Sequence, residues 1–135
     1  MEDKQLFKQV EISEQDKTLF KELSPLLSMF NNFQKKAIIS SNPQIRCIAG
    51  AGTGKTTVLT KRIEFLINYK GQDPKKILAI TFTRKARQEM FTRLSKSNIQ
   101  TNIQTFNSFC EKILQKYQFK IYGKSVKVID YANKQ

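Results

Sequence analysis

The chain is 135 residues long and 39% hydrophobic, with ten Phe, no His and a formal charge of +13. That length suits one small domain with a single core, and the lack of His excludes His-based triads and His-ligated metals. No apolar run is long enough to cross a bilayer, and the opening MEDKQLFKQVEIS is too charged and broken for a secretory signal.

Lys and Arg total 24 against 11 acidic residues. Such an excess suits a polyanion, which gains affinity by counterion release, and equally suits a solubility device. Cys47 and Cys110 lie inside apolar patterns without metal-like spacing. They read as buried thiols of a reducing, cytoplasmic compartment.

In chain order, residues 1–30 form a helical lead-in. Ser13-Glu14-Gln15-Asp16 is a capping box, followed by an apolar face of Leu19, Phe20 and Leu23 that Pro25 breaks. A second short helix carries Phe33, Ala37 and Ile38. Ile45–Ala49 is expected as a short strand, then a Gly-rich turn, then a helix from Lys55 with Val58, Leu59, Ile63, Leu66 and Ile67 inward. Ile77–Phe82 (ILAITF) is expected as a strand buried on both faces of a parallel sheet. A helix with Ala86, Met90 and Leu94 on one side follows, then a brief strand at Ile103–Phe106. Phe109, Cys110, Ile113, Leu114 and Tyr117 line a third helix, and Val126–Asp130 closes the pattern. Strands alternating with helices predict βαβ units in an α/β fold.

One segment carries strong chemistry: Ala49-Gly50-Ala51-Gly52-Thr53-Gly54-Lys55-Thr56. Its glycines let backbone N–H groups close on phosphates, and the following helix adds its positive end. Lys55 is expected at the β- and γ-phosphates and the Thr56 hydroxyl on Mg²⁺, so the ligand is ATP with Mg²⁺. Asp130, after an apolar run, reads either as a second Mg²⁺ ligand of a small P-loop kinase or as a strand-end cap.

From Phe30 to Asp130 the chain resembles the N-terminal end of UvrD/Rep-type superfamily 1 DNA helicases, on four segments in order. Asn31–Ile38 resembles the adenine-reading Q motif, with Gln34 on the base. Ala49–Thr56 resembles motif I, where an initial Ala is common. Ile80–Ala86 resembles motif Ia and Thr105–Phe109 motif Ib, both contacts to single-stranded DNA. Arg84 stands where the family has Asn, Asn107 where it often has His, and Thr57 where some relatives carry an adenine-side Arg.

The resemblance implies that residues 31–135 are part of a RecA-like P-loop NTPase sheet flanked by helices, incomplete because the acidic motif II is not among them. Lys55 and Thr56 become the catalytic residues, and Gln34 and Ala49–Thr57 the nucleotide contacts. Thr81, Phe82, Thr83, Arg84, Lys85, Thr105, Phe106 and Asn107 become the DNA contacts. The implied activity is ATP-driven translocation on single-stranded DNA by a longer chain, in repair, replication restart or plasmid functions. The alternative is an ATP-binding nucleic-acid accessory protein that does not unwind.

Overall fold

A Ser-x-x-Asp pair starts the first helix where the sequence places it. The computed structural model describes residues 11–127. Ser13 and Asp16 make a reciprocal capping box at the start of α1 (Glu14–Glu22), and Pro25 falls in the first turn of α2 (Ser24–Leu27). A second capping box, Asn31 with Gln34, opens α3 (Asn32–Ile39). Beyond the Gly-rich turn runs α4 (Lys55–Asn68).

The chain divides into two compact units, Met1–Gly71 and Gln72–Gln135. The core of the first gathers Phe20, Leu26, Leu27, Phe30, Ile38, Ile39 and Phe65, with Leu27 and Ile38 fully buried. Truncating either Leu27 or Ile38 to Ala is worth about 2–5 kcal/mol at such a site. Leu59, expected inward, is exposed instead, as is Phe33 of α3; Ile63, as expected, is buried on α4, together with Phe65.

The segment Ile45–Ala49 is not part of a strand, and all five residues are exposed. Cys47 is therefore exposed and Cys110 half-buried, which corrects the expectation of two buried thiols.

The second unit is a βαβ element. A short 3₁₀ turn (Pro74–Lys76) leads into β1 (Leu78–Thr81), then α5 (Arg84–Lys96), β2 (Asn102–Thr105) and α6 (Phe106–Tyr122). The strands run parallel, in a register that pairs Leu78 with Asn102 and Thr81 with Thr105. Among the described residues the chain is thus mixed α/β, with a two-stranded parallel sheet in this second unit. Met90 and Leu94 of α5 are buried as the period predicts. Only Ala79 and Thr81 of β1 are buried, while Leu78 and Ile80 face outward, so the strand is covered on one face and not two. No residue of α6, along which Phe109, Cys110, Ile113, Leu114 and Tyr117 were expected to line up, is buried. Within Val126–Asp130 the last three residues, Asp130 among them, lie outside the described residues.

Candidate functional site

The phosphate-loop candidate begins at Ala49, the last residue of the segment expected as a strand. The backbone turns through Ala51–Thr53, with Gly52 at φ +72° and Gly54 at φ +81°. Both angles lie in the left-handed region, where a side chain is strained. Gly54 is also the N-cap of α4, and as a glycine it brings no side-chain cap. By contrast α1, α3, α5 and α6 each have a side-chain oxygen on a first-turn N–H. The N-cap of this 14-residue helix thus contributes no side-chain oxygen at the helix's positive end.

The loop's own side chains fold back on it. Thr53 Oγ1 donates to the Gly50 carbonyl at 2.7 Å. Lys55 Nζ donates to the carbonyls of Ala49, at 3.3 Å, and of Gly50. The ammonium is thus held beside the loop by neutral acceptors, and a phosphate oxygen would be a stronger partner for it. A groove of about 970 Å³ opens next to the loop, lined among others by Phe33, Gln34, Ile45, Ile48, Lys55 and Leu59. Thr56 follows Lys55 in the first turn of α4 and is half-buried, as is Thr57.

Helix α3 is fixed against this loop at its start and against α4 at its end. At its start, Gln34 Nε2 donates to the Thr53 carbonyl at 3.1 Å. At its end, Arg62 Nη1 of α4 reaches the carbonyls of Ala37, Ile38 and Ser40 at 2.9–3.1 Å. These are C-terminal carbonyls that a helix leaves without partners of its own. Burial lowers the Arg62 pKa from its ordinary value. Asp16 ties α3 to α1, accepting from Lys36 Nζ as well as from Ser13. The Lys36 bond, more than any other contact, holds the Asp16 pKa below the usual aspartate value.

Sequence reading missed Arg62 and Asp16 as site-positioning residues. The Asn-x-x-Gln spacing at Asn31–Gln34 was a legible signal for the capping box. Nothing in the sequence marks Arg62, an arginine two turns into an amphipathic helix.

The second group of expected residues clusters in the Gln72–Gln135 unit. Because β1 and β2 are parallel and in register, their C-terminal ends put Thr81–Lys85 beside Thr105–Asn107. The crevice outside the carboxyl ends of parallel strands is where such sheets bind ligands. Thr81 is buried, and its hydroxyl donates to the Thr83 carbonyl, so it shapes the turn. Thr83 Oγ1 accepts from the Ala86 N–H and Thr105 Oγ1 from the Ser108 N–H, capping α5 and α6. Each capping hydroxyl retains its hydrogen as a donor. Phe82 is 92% exposed and Phe106 53% exposed, which removes core packing as the reason for Phe82. Arg84, Lys85 and Asn107 are exposed alongside.

The residues of the first cluster fit a magnesium-bound triphosphate: the uncapped N-terminus of α4, a lysine already oriented over the loop and a threonine directly after it. Among the described residues no group of three His, Cys, Asp or Glu side chains converges to hold a metal ion. No helix among them is long and apolar enough to cross a membrane.

Residues 30–135 match the model of the UvrD/REP helicase N-terminal domain family. A probable DNA helicase II homolog of Mycoplasma genitalium is 48% identical over 89 residues, covering 62% of this chain and 13% of that protein. A homolog of the same description in Mycoplasma capricolum is 43% identical over 94 residues, covering 67% of this chain and 13% of that protein. The ATP-dependent DNA helicase PcrA of Staphylococcus aureus is 40% identical over 98 residues, or 70% of this chain and 13% of that protein. The chain thus spans a small part of the length of these relatives.

Proposed function

The chain belongs to the UvrD/REP helicase N-terminal domain family, and from that premise we propose that it is the ATP-binding front part of an ATP-dependent DNA helicase that moves along single-stranded DNA. The observation that carries this reading is the start of α4: a left-handed glycine in place of a side-chain cap, with Lys55 directly behind it. Backbone N–H groups at a helix N-terminus, a helix dipole and a lysine make an anion site of the kind that takes nucleotide phosphates.

In this reading Lys55 neutralises the β- and γ-phosphates and Thr56 offers its hydroxyl to Mg²⁺. When bound, the ion would supply positive charge that neutralises the phosphate chain. Backbone N–H groups of Gly50–Thr56 orient the phosphate chain, and Gln34 and Thr57 lie on its base side. The two-stranded sheet of the second unit would belong to a RecA-like P-loop sheet that the longer chain completes. Its strand ends would meet single-stranded DNA: Phe82 and Phe106 as stacking platforms, Arg84, Lys85 and Asn107 as phosphate and sugar contacts, Thr83 and Thr105 as hydroxyl donors.

Nucleotide selectivity tests the proposal. In equilibrium dialysis with Mg²⁺, ATP and ADP should be retained and AMP, lacking the β-phosphate, should not; removing Mg²⁺ should weaken ATP retention. Equal retention of ATP and AMP would contradict a phosphate-reading loop.

A further inference from the structure

Gln34 commits both ends of its carboxamide to the chain itself. Its Oε1 accepts the Asn31 N–H at 3.0 Å and completes the capping box of α3. Its Nε2 donates to the Thr53 carbonyl, a bond between residues 19 apart in sequence. The same nitrogen lies against the loop backbone, since a Cβ placed on Gly54 would stand 3.8 Å from it.

A trans peptide is planar, with its C=O and N–H pointing in opposite directions. Drawing the Thr53 carbonyl toward α3 therefore turns the Gly54 N–H away from α3. Gly54 is the N-cap of α4, so this N–H stands at the positive end of the helix. The helix that holds Gln34 is itself rigid: Ile38 and Ile39 are buried, and Arg62 grips its last carbonyls.

We propose that Gln34 is a positioning residue of the phosphate loop, orienting the Thr53–Gly54 peptide through the Thr53 carbonyl so that the Gly54 N–H is presented to the phosphate chain whatever base the nucleotide carries. The proposal deepens the reading of Ala49–Thr56 as a nucleotide-phosphate site and rests on it. It differs from base recognition in what it affects. A base reader discriminates ATP from GTP, whereas a loop-positioning residue raises affinity for every polyphosphate. The carboxamide keeps one N–H and one lone pair beyond these bonds, so the two roles can be separated by measurement.

The test titrates wild type and Gln34→Met with the magnesium complexes of ATP, GTP and inorganic tripolyphosphate, and records the Gly54 amide resonance in ¹⁵N-labelled protein without ligand. Methionine keeps the length of the side chain and removes the donor. All three affinities should fall by a similar factor, about five- to tenfold for one lost hydrogen bond. The Gly54 resonance should move before any ligand is added, with the thermal midpoint close to that of wild type. A loss confined to ATP, with tripolyphosphate affinity and the Gly54 resonance unchanged, would overturn the proposal in favour of base reading. Should Gln34→Met fail to fold, Gln34→Glu retains the acceptor for the Asn31 N–H and removes the donor to Thr53. The ligand-free Gly54 resonance then decides, since no phosphate charge enters that measurement. A wild type that binds none of the three ligands would overturn the phosphate-loop reading itself, and the proposal with it.

Discussion

Two side chains outside the loop decide where its neighbours stand. Asp16 caps α1 and holds Lys36 of α3, and these bonds lower its pKa. A carboxylate with a depressed folded pKa stabilises the fold fully above its unfolded value. That contribution is lost as pH falls through the folded value. Chemical denaturation should therefore show a stability loss that sets in as pH drops to about 4 and continues below it. Asp16→Asn should flatten that acid limb; an unchanged acid limb would remove Asp16 from the account. Arg62 acts at the other end of α3. Replacing it with Leu leaves C-terminal carbonyls without their donor and should cost about 1.5–3 kcal/mol of stability, read from urea melts. Of these residues only the capping side of Asp16 was legible in the sequence, because Ser-x-x-Asp is a local pattern. The partners Lys36 and the α3 carbonyls are tertiary, and no spacing along the chain points to them.

At the scale of elements, the period of α5 was readable, that of α4 only in part, and the environments of the strands were not. Met90 and Leu94 are buried on α5 as their spacing predicts, since α5 packs on a sheet within its own unit. The apolar run ILAITF predicts a strand covered on both faces, yet Leu78 and Ile80 stand exposed in a sheet of two strands. Ile45–Ala49, expected as a strand, is not part of the sheet formed by β1 and β2. The end of the sheet supplies the element-scale prediction. With Phe82 at 92% exposure, Phe82→Ala should leave the melting temperature nearly unchanged. It should weaken single-stranded DNA binding by about 1–3 kcal/mol without altering the salt dependence. Arg84→Glu should instead flatten the slope of log affinity against log salt by about one, through fewer released counterions. Anisotropy titrations at several salt concentrations separate the two. An unaffected slope in Arg84→Glu, together with full affinity in Phe82→Ala, would remove the DNA face from the strand ends.

For the whole molecule, motif order carried more information than composition. A charge of +13 is compatible with many partners, whereas the glycines, Lys55 and Thr56 in one run define a ligand class because each residue type has a stated task at the phosphates. The described residues bring no acidic cluster to a metal site. Phosphoryl transfer draws orders of magnitude in rate from carboxylate-held Mg²⁺ and arginine contacts. The 135-residue chain assayed alone should consequently hydrolyse ATP no faster than background, with or without single-stranded DNA; DNA-stimulated turnover would return Asp130 to the candidates for a metal ligand. Binding should nevertheless persist without turnover, and calorimetric titration of Mg-ATP into wild type and Lys55→Ala tests that most directly. A saturable wild-type isotherm, weakened by about 2–4 kcal/mol in the variant, is the predicted result. Equal affinities of the two proteins for ATP would contradict it.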